Sequence, residues 1–122
     1  MTEFDAHAVA FRRDEEIGAE YLVLAEHEDG SGERVELQRP LVVTDDDRRL
    51  GTDTYCLVNE GGVTHYGGVE GWSLDDSSLE LRLDQEAARI LGAEGGYRIR
   101  LTNPTKAAPV VRDGLRAILG PG

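Results

Sequence analysis

Strict alternation of apolar and charged positions marks two segments more clearly than any other part of the chain. In Leu79-Glu80-Leu81-Arg82-Leu83 and Tyr97-Arg98-Ile99-Arg100-Leu101 every second side chain is apolar, the period at which a strand buries one face and wets the other. Both are expected to be half-buried strands. Weaker runs extend the assignment to residues 9–12, 21–25, 34–43, 54–58, 63–66 and 69–74. Pro40 has no backbone donor, so its segment is expected at a sheet edge or in two pieces. Asn59-Glu60-Gly61-Gly62 and Asp75-Asp76-Ser77-Ser78 carry turn chemistry between such runs. Short connections favour antiparallel pairing, and residues 54–83 are expected to form one antiparallel meander. A turn over 59–62 sets Val58 opposite Val63 and, walking outward, Cys56 opposite His65; a slip of one residue would part that last pair onto opposite faces.

Helical spacing enters only late. Asp84 can cap a short helix with Gln85-Glu86 in its first turn, Ala87, Ala88, Ile90 and Leu91 inside and Gly92 as its stop. A second helix is expected to start with Pro109 at its first position, where a missing donor costs nothing, and to align Val111, Leu115, Ile118 and Leu119 on one face before Gly120-Pro121. Gly114 weakens such a helix by about 1 kcal/mol relative to Ala, which points to close packing of its backbone on a sheet. Strands early and helices late define an α+β class, read as a single domain, an antiparallel meander with two helices toward the C-terminus.

Charge narrows the function. The 122 residues hold 24 Asp+Glu against 13 Lys+Arg, a formal charge of −11, so direct binding to nucleic acid or to anionic membranes is disfavoured. The acidity belongs to the first half: residues 1–60 contain 16 acids and 6 bases, residues 61–122 contain 8 and 7. Asp14-Glu15-Glu16, Glu26, Glu28-Asp29 and Asp45-Asp46-Asp47 fall between apolar segments and are expected on turns and one sheet face. Cys56 is the only cysteine, which excludes a disulfide within the chain and fits a reducing cytosol. The N-terminal residues lack the basic and apolar regions of a secretory signal, and a cytoplasmic location is expected.

The segment from Tyr55 to Trp72 holds the sole Cys, the sole Trp, His65 and five glycines. Cys56 as nucleophile with His65 as base is one reading, since a thiolate attacks only when something takes its proton. The other is that a free Cys in a strand is a small buried hydrophobe. Glycines at 61, 62, 67, 68 and 71 match no phosphate-loop spacing and are read as turns, bulges or close approaches. His7, His27, His65 and Cys56 show no metal-ligand spacing, and no metal or cofactor is expected. Paired acids such as Asp75-Asp76 read as solvated turn residues or as binding groups. Trp72 and Tyr66 read as core or sheet-face aromatics, or as interface anchors if exposed beside an acidic rim.

The run Asp53-Thr54-Tyr55-Cys56-Leu57-Val58-Asn59-Glu60-Gly61-Gly62, then Thr64-His65-Tyr66-Gly67-Gly68-Val69, Trp72-Ser73-Leu74 and Leu79-Glu80-Leu81-Arg82-Leu83, resembles the immunity protein 10 family. The Ala87-Ala88 helix ending Leu91-Gly92 and the final Leu115-Arg116-Ala117-Ile118-Leu119 are similar to that family's tail, so the likeness covers roughly residues 34 to 120. The resemblance implies a small cytosolic antidote encoded beside a bacterial polymorphic toxin, inhibiting by stoichiometric binding and not by turnover. Under that reading Asp45, Asp46, Asp47, Glu60, Tyr66, Trp72, Asp75 and Asp76 are the candidate contacts. A basic, nuclease-like toxin domain is the partner that the acidity suits. The alternatives are a small hydrolase or transferase built on Cys56 and His65, and a ligand-binding or assembly module without a toxin.

Overall fold

The computed structural model describes residues 1–121. Among them the chain forms β1 (Thr2–Ala6), β2 (Ala8–Asp14), β3 (Ala19–Ala25), β4 (Arg34–Pro40), α1 (Asp45–Leu50), β5 (Cys56–Asn59), β6 (Thr64–Tyr66), β7 (Val69–Leu74), β8 (Ser78–Leu83), α2 (Gln85–Leu91), β9 (Gly96–Leu101) and α3 (Pro104–Leu119). The strands make two sheets, ordered β1-β9-β8-β7 and β2-β3-β4-β5-β6. All pairings are antiparallel except that of β1 with β9. The α+β class is therefore as expected.

The two clearest alternating segments are β8 and β9, paired with Leu79 opposite Ile99 and Leu81 opposite Tyr97. Their apolar side chains, with Phe4 and Ala6 of β1 and Trp72 of β7, face inward. In the second sheet Leu22, Leu24, Val35, Leu37 and Leu57 do the same, and each is fully buried. Both inner faces and the buried face of α3 belong to one continuous core. Burying a side chain of this size contributes about 1.5–3 kcal/mol. Phe4 and Tyr97 meet edge to face, with centroids 6.5 Å apart.

The expected 54–83 meander divides into two hairpins in different sheets. β5 and β6 complete the second sheet, whereas β7 and β8 belong to the first. Gly67 and Gly68 make the crossing with φ of 71° and 96°, values an L-residue with a side chain seldom adopts. A Cβ on Gly68 would also meet that of Ala87 in α2 at 2.5 Å. Pro40 ends β4 beyond the last residue that β5 pairs, Gln38, so its missing donor interrupts no ladder bond on that side.

Of the two helices expected toward the C-terminus, α3 departs from the sequence reading at its start. α3 begins at Pro104, which takes the first-turn position assigned to Pro109, and Pro109 lies inside the helix on its solvent face. The Asn103 carbonyl accepts from Lys106 N (3.2 Å) and Ala107 N (2.9 Å), so the first turn is closed before Pro109 withholds a donor. Ala108, Val111, Leu115 and Ile118 form the buried stripe, as their spacing requires. Gly114 lies as expected: a Cβ there would stand 3.0 Å from Leu22 Cδ1. The C-terminal end of α3 is tied to both sheets. Arg39 Nη1 donates to the Ile118 carbonyl (2.9 Å) and Trp72 Nε1 to that of Gly120 (3.3 Å), satisfying acceptors that a helix end leaves free. α2 is capped by Asp84, whose carboxylate accepts from Ala87 N at 2.8 Å, and Gly92 ends it.

Gly96 opens β9 at φ 116°, and a Cβ there would collide with the Leu81 carbonyl. Gly96→Ala is expected to lower stability by about 1–3 kcal/mol, read as an earlier urea midpoint at unchanged slope. Tyr97 is buried, and that burial, helped by Glu60 and Glu33, pushes its phenol up to about 12. The unfolded phenol ionises near 10, so above that pH unfolding releases a proton. Stability is expected to hold below pH ~10 and to fall by up to about 1.4 kcal/mol per pH unit until about 12, and Tyr97→Phe is expected to flatten this in urea melts.

Candidate functional site

The acidic triplet Asp45-Asp46-Asp47, expected in a turn, is the first turn of α1. Thr44 caps it: Asp47 N donates to Thr44 Oγ1 (3.1 Å) and Thr44 N to Asp47 Oδ2 (2.9 Å), a reciprocal capping box. The Thr44 backbone N–H, then its hydroxyl, hold the Asp47 carboxyl below the ordinary carboxylate range. Carboxylates near the positive end of the helix and ion pairs one turn along, Arg48–Asp45 at 2.9 Å and Arg49–Asp46 at 2.7 Å, complete its support. No residue of α1 is buried. Six residues are too few for a helix to persist on propensity alone, so local capping and the loop that carries it hold this one.

Next to α1 lies the outer face of the second sheet. Register places Tyr21, Gln38, Cys56 and Tyr66 side by side across β3, β4, β5 and β6. Together with Ile17 and Gly18 of the β2–β3 turn, Pro40, and Asp47 and Thr52 of the α1 segment, the last three of these line a shallow depression of about 230 Å³. The turn and the loop are joined by Leu41 N donating to the Gly18 carbonyl at 2.9 Å. Ile17 and Tyr66, which line the depression, are 70% and 44% exposed, and Val42 (74%) and Leu50 (70%) stand exposed on the segment that carries α1. Contiguous exposed apolar groups rimmed by polar ones mark interaction surfaces more often than they occur idly.

The eight sequence-derived contacts are thus scattered. Asp47 and Tyr66 line the depression and Asp45 and Asp46 share its helix. Glu60 lies in the turn at the opposite end of β5 and β6, where it accepts from Arg34 N at 3.4 Å. It belongs with Glu26 and Glu33 there; burial first, then the carboxylates of Glu60 and Glu26, raises the Glu33 carboxyl. Trp72 is 9% exposed and packed in the core, so of its two readings the interior one holds, and it presents no exposed anchor. Asp75 closes the β7–β8 turn by accepting from Ser77 N (2.8 Å) and Ser78 N (2.7 Å), with Asp76 exposed beside it.

Cys56 and His65 do not meet. The pairing is Cys56 with Tyr66 and Leu57 with His65, one residue away from the expected register, because the turn closes with Asn59 N donating to the Val63 carbonyl (3.1 Å). Adjacent positions point to opposite faces, so His65 lies on the inner side, its Nδ1 3.0 Å from the Gly67 carbonyl. Cys56 is buried on the other side, where burial, then Glu36, pushes its thiol up. Among the described residues no group of three or more His, Cys, Asp or Glu side chains is placed to hold a metal ion, and no helix is long and apolar enough to cross a membrane.

Sequence reasoning missed Ile17, Val42, Leu50 and Thr52. Thr44-x-x-Asp47 was a readable capping signal, and the Asp45/Arg48 and Asp46/Arg49 spacings supported a helix; together they would have located α1. Nothing local distinguishes an exposed Ile17 or Val42 from a core residue.

Neither curated proteins nor solved structures yield a match to the chain. A family model described as Immunity protein 10 matches residues 5–108. The match starts earlier than the resemblance at residue 34, taking in β2 and β3 as well as α1, the depression and both sheets, and it stops inside α3, short of Pro109 and the final helical residues. The chain belongs to the Immunity protein 10 family.

Proposed function

We propose that this protein neutralises a toxin by binding it in a stoichiometric complex, in the bacterial cytoplasm, without transforming it. The observation that carries this reading is the family match, which spans ten of the twelve elements completely and takes in the end of β1 and the start of α3. The description immunity protein implies a toxin partner, and binding that covers a toxin's working surface is the simplest way for a small domain to protect against it.

Physical features of the molecule support binding over turnover. The cysteine and histidine that a hydrolase reading needs lie on opposite faces of one sheet, and the thiol is displaced away from reactivity. A formal charge of −11 favours encounter with a basic partner, accelerating association by roughly tenfold to a thousandfold at low salt. Of the sequence-derived contacts, Asp45, Asp46, Asp47 and Tyr66 share one surface and remain contact candidates; Glu60, Asp75 and Asp76 occupy separate ends of the fold.

Titrating the toxin encoded by the neighbouring gene with this protein is expected to end its activity at one equivalent. An endpoint far below one equivalent would mean turnover and defeat the proposal, as would the absence of any complex at micromolar concentrations in low salt. Iodoacetamide is expected to label Cys56 in the folded protein at least about tenfold more slowly at pH 7.5 than in the urea-unfolded chain; labelling as fast as the unfolded thiol would revive the nucleophile reading.

A further inference from the structure

Resting on the neutralisation reading, we infer that the toxin docks on the depression between α1, the β2–β3 turn and the outer face of β4, β5 and β6, and that the docking surface of the toxin is basic around a projecting apolar side chain. Three observations single out this place. Large apolar side chains that are exposed among the described residues number six, and four of them, Ile17, Val42, Leu50 and Tyr66, belong to the segments that form or flank this depression. The rim is anionic on balance: residues 13–18 and 41–54 hold seven carboxylates and three guanidiniums, and the guanidiniums of Arg13, Arg48 and Arg49 are engaged with Glu15, Asp45 and Asp46. Finally, α1 presents Leu50 to solvent and buries nothing, so the fold itself gives this capped helix no packing role.

Other surfaces lack this combination. On the outer face of the first sheet Glu3, Arg98 and Glu80 alternate in sign across three strands, and Asp5 pairs with Arg100 at 2.6 Å, so the field there is largely self-cancelled. The end carrying Glu26, Glu33 and Glu60 is acidic, but of the large exposed apolar residues only Val63 lies in its turn. The depression offers apolar surface for burial beside a rim in which carboxylates outnumber guanidiniums, which is the anatomy of a contact with a desolvated centre and a rim that steers. A basic partner placing an aliphatic or aromatic side chain between Ile17 and Tyr66 would desolvate both, while its cations meet Glu16 and Asp53 and compete with Arg13, Arg48 and Arg49 for Glu15, Asp45 and Asp46.

Surface plasmon resonance with the toxin of the neighbouring gene tests this. Ile17→Ala/Leu50→Ala is expected to weaken binding at least about thirtyfold, mostly through faster dissociation, because truncating a central anchor acts on the off-rate. Asp45→Asn/Asp46→Asn is expected to slow association about fivefold at low salt and to make it less salt-dependent. Glu60→Gln and Asp75→Asn/Asp76→Asn are expected to leave affinity within about threefold of the unchanged chain. All substituted side chains are exposed, and circular dichroism melts verify folding; hydrogen exchange on the unaltered complex, expected to protect residues 14–18 and 45–56, gives a readout that needs no variant. Affinity within threefold for Ile17→Ala/Leu50→Ala, or protection confined to the ends carrying Glu60 or Asp75, would overturn the docking site while leaving neutralisation by binding intact. No complex with the unaltered chain would overturn both.

Discussion

The structure depends on two apolar sheet faces and one helix stripe sharing a single core. Neither sheet is self-sufficient: the first offers Phe4, Leu79, Leu81, Tyr97 and Ile99, the second Leu22, Leu24, Val35, Leu37 and Leu57, and each set needs the other to leave water. α3 makes the arrangement definite. Gly114 lets its backbone approach Leu22 closely, and its C-terminal carbonyls accept from Arg39 of one sheet and Trp72 of the other. One helix end is thereby bonded to both sheets, so the helix fixes how they meet as well as covering them.

That requirement dictates where the chain changes sheets. It does so between β1 and β2 at His7, whose amide donates to the Ala25 carbonyl at 3.0 Å, and again at Gly67-Gly68. The second crossing leaves β5 and β6 as the last strands of the second sheet, with Cys56 and Tyr66 on its outer face. The two outer faces then diverge in chemistry. Carboxylates and guanidiniums alternate on the first, whereas the second carries Tyr21, Gln38, Cys56 and Tyr66 beside an unburied acidic helix. A surface that satisfies its own charges has little left to offer a partner; one that exposes apolar groups within a ring of unbalanced charge does.

Legibility followed the range of the interactions involved. β8, β9, α2 and the stripe of α3 were readable because their signals are local: alternation, a capping aspartate, a terminal glycine, helical spacing. β1 was not, because its pairing partner β9 lies 95 residues away and is parallel, a pairing no adjacent turn announces. The acidic triplet was read as a turn because charge density outweighed the Thr44-x-x-Asp47 pattern preceding Arg48 and Arg49. Of the surface proposed for docking, Asp45, Asp46, Asp47 and Tyr66 are nameable from the sequence, but the same reasoning names Trp72, which the core absorbs, and Glu60, Asp75 and Asp76, which the fold carries elsewhere.

What the amino-acid order determined by itself was the class, the segments with one wet and one dry face, the acidic character and the kinship with immunity proteins, since each is a property of neighbours along the chain. The tertiary structure alone decided that 54–83 is two hairpins, that Cys56 and His65 part company, that Ile17 and Tyr66 share one depression, and that Val42 and Leu50 are left exposed. Periodicity says that a side chain shares a face with its second neighbour. Which faces meet, and which are left outside, is settled only when distant segments compete to bury the same apolar surface.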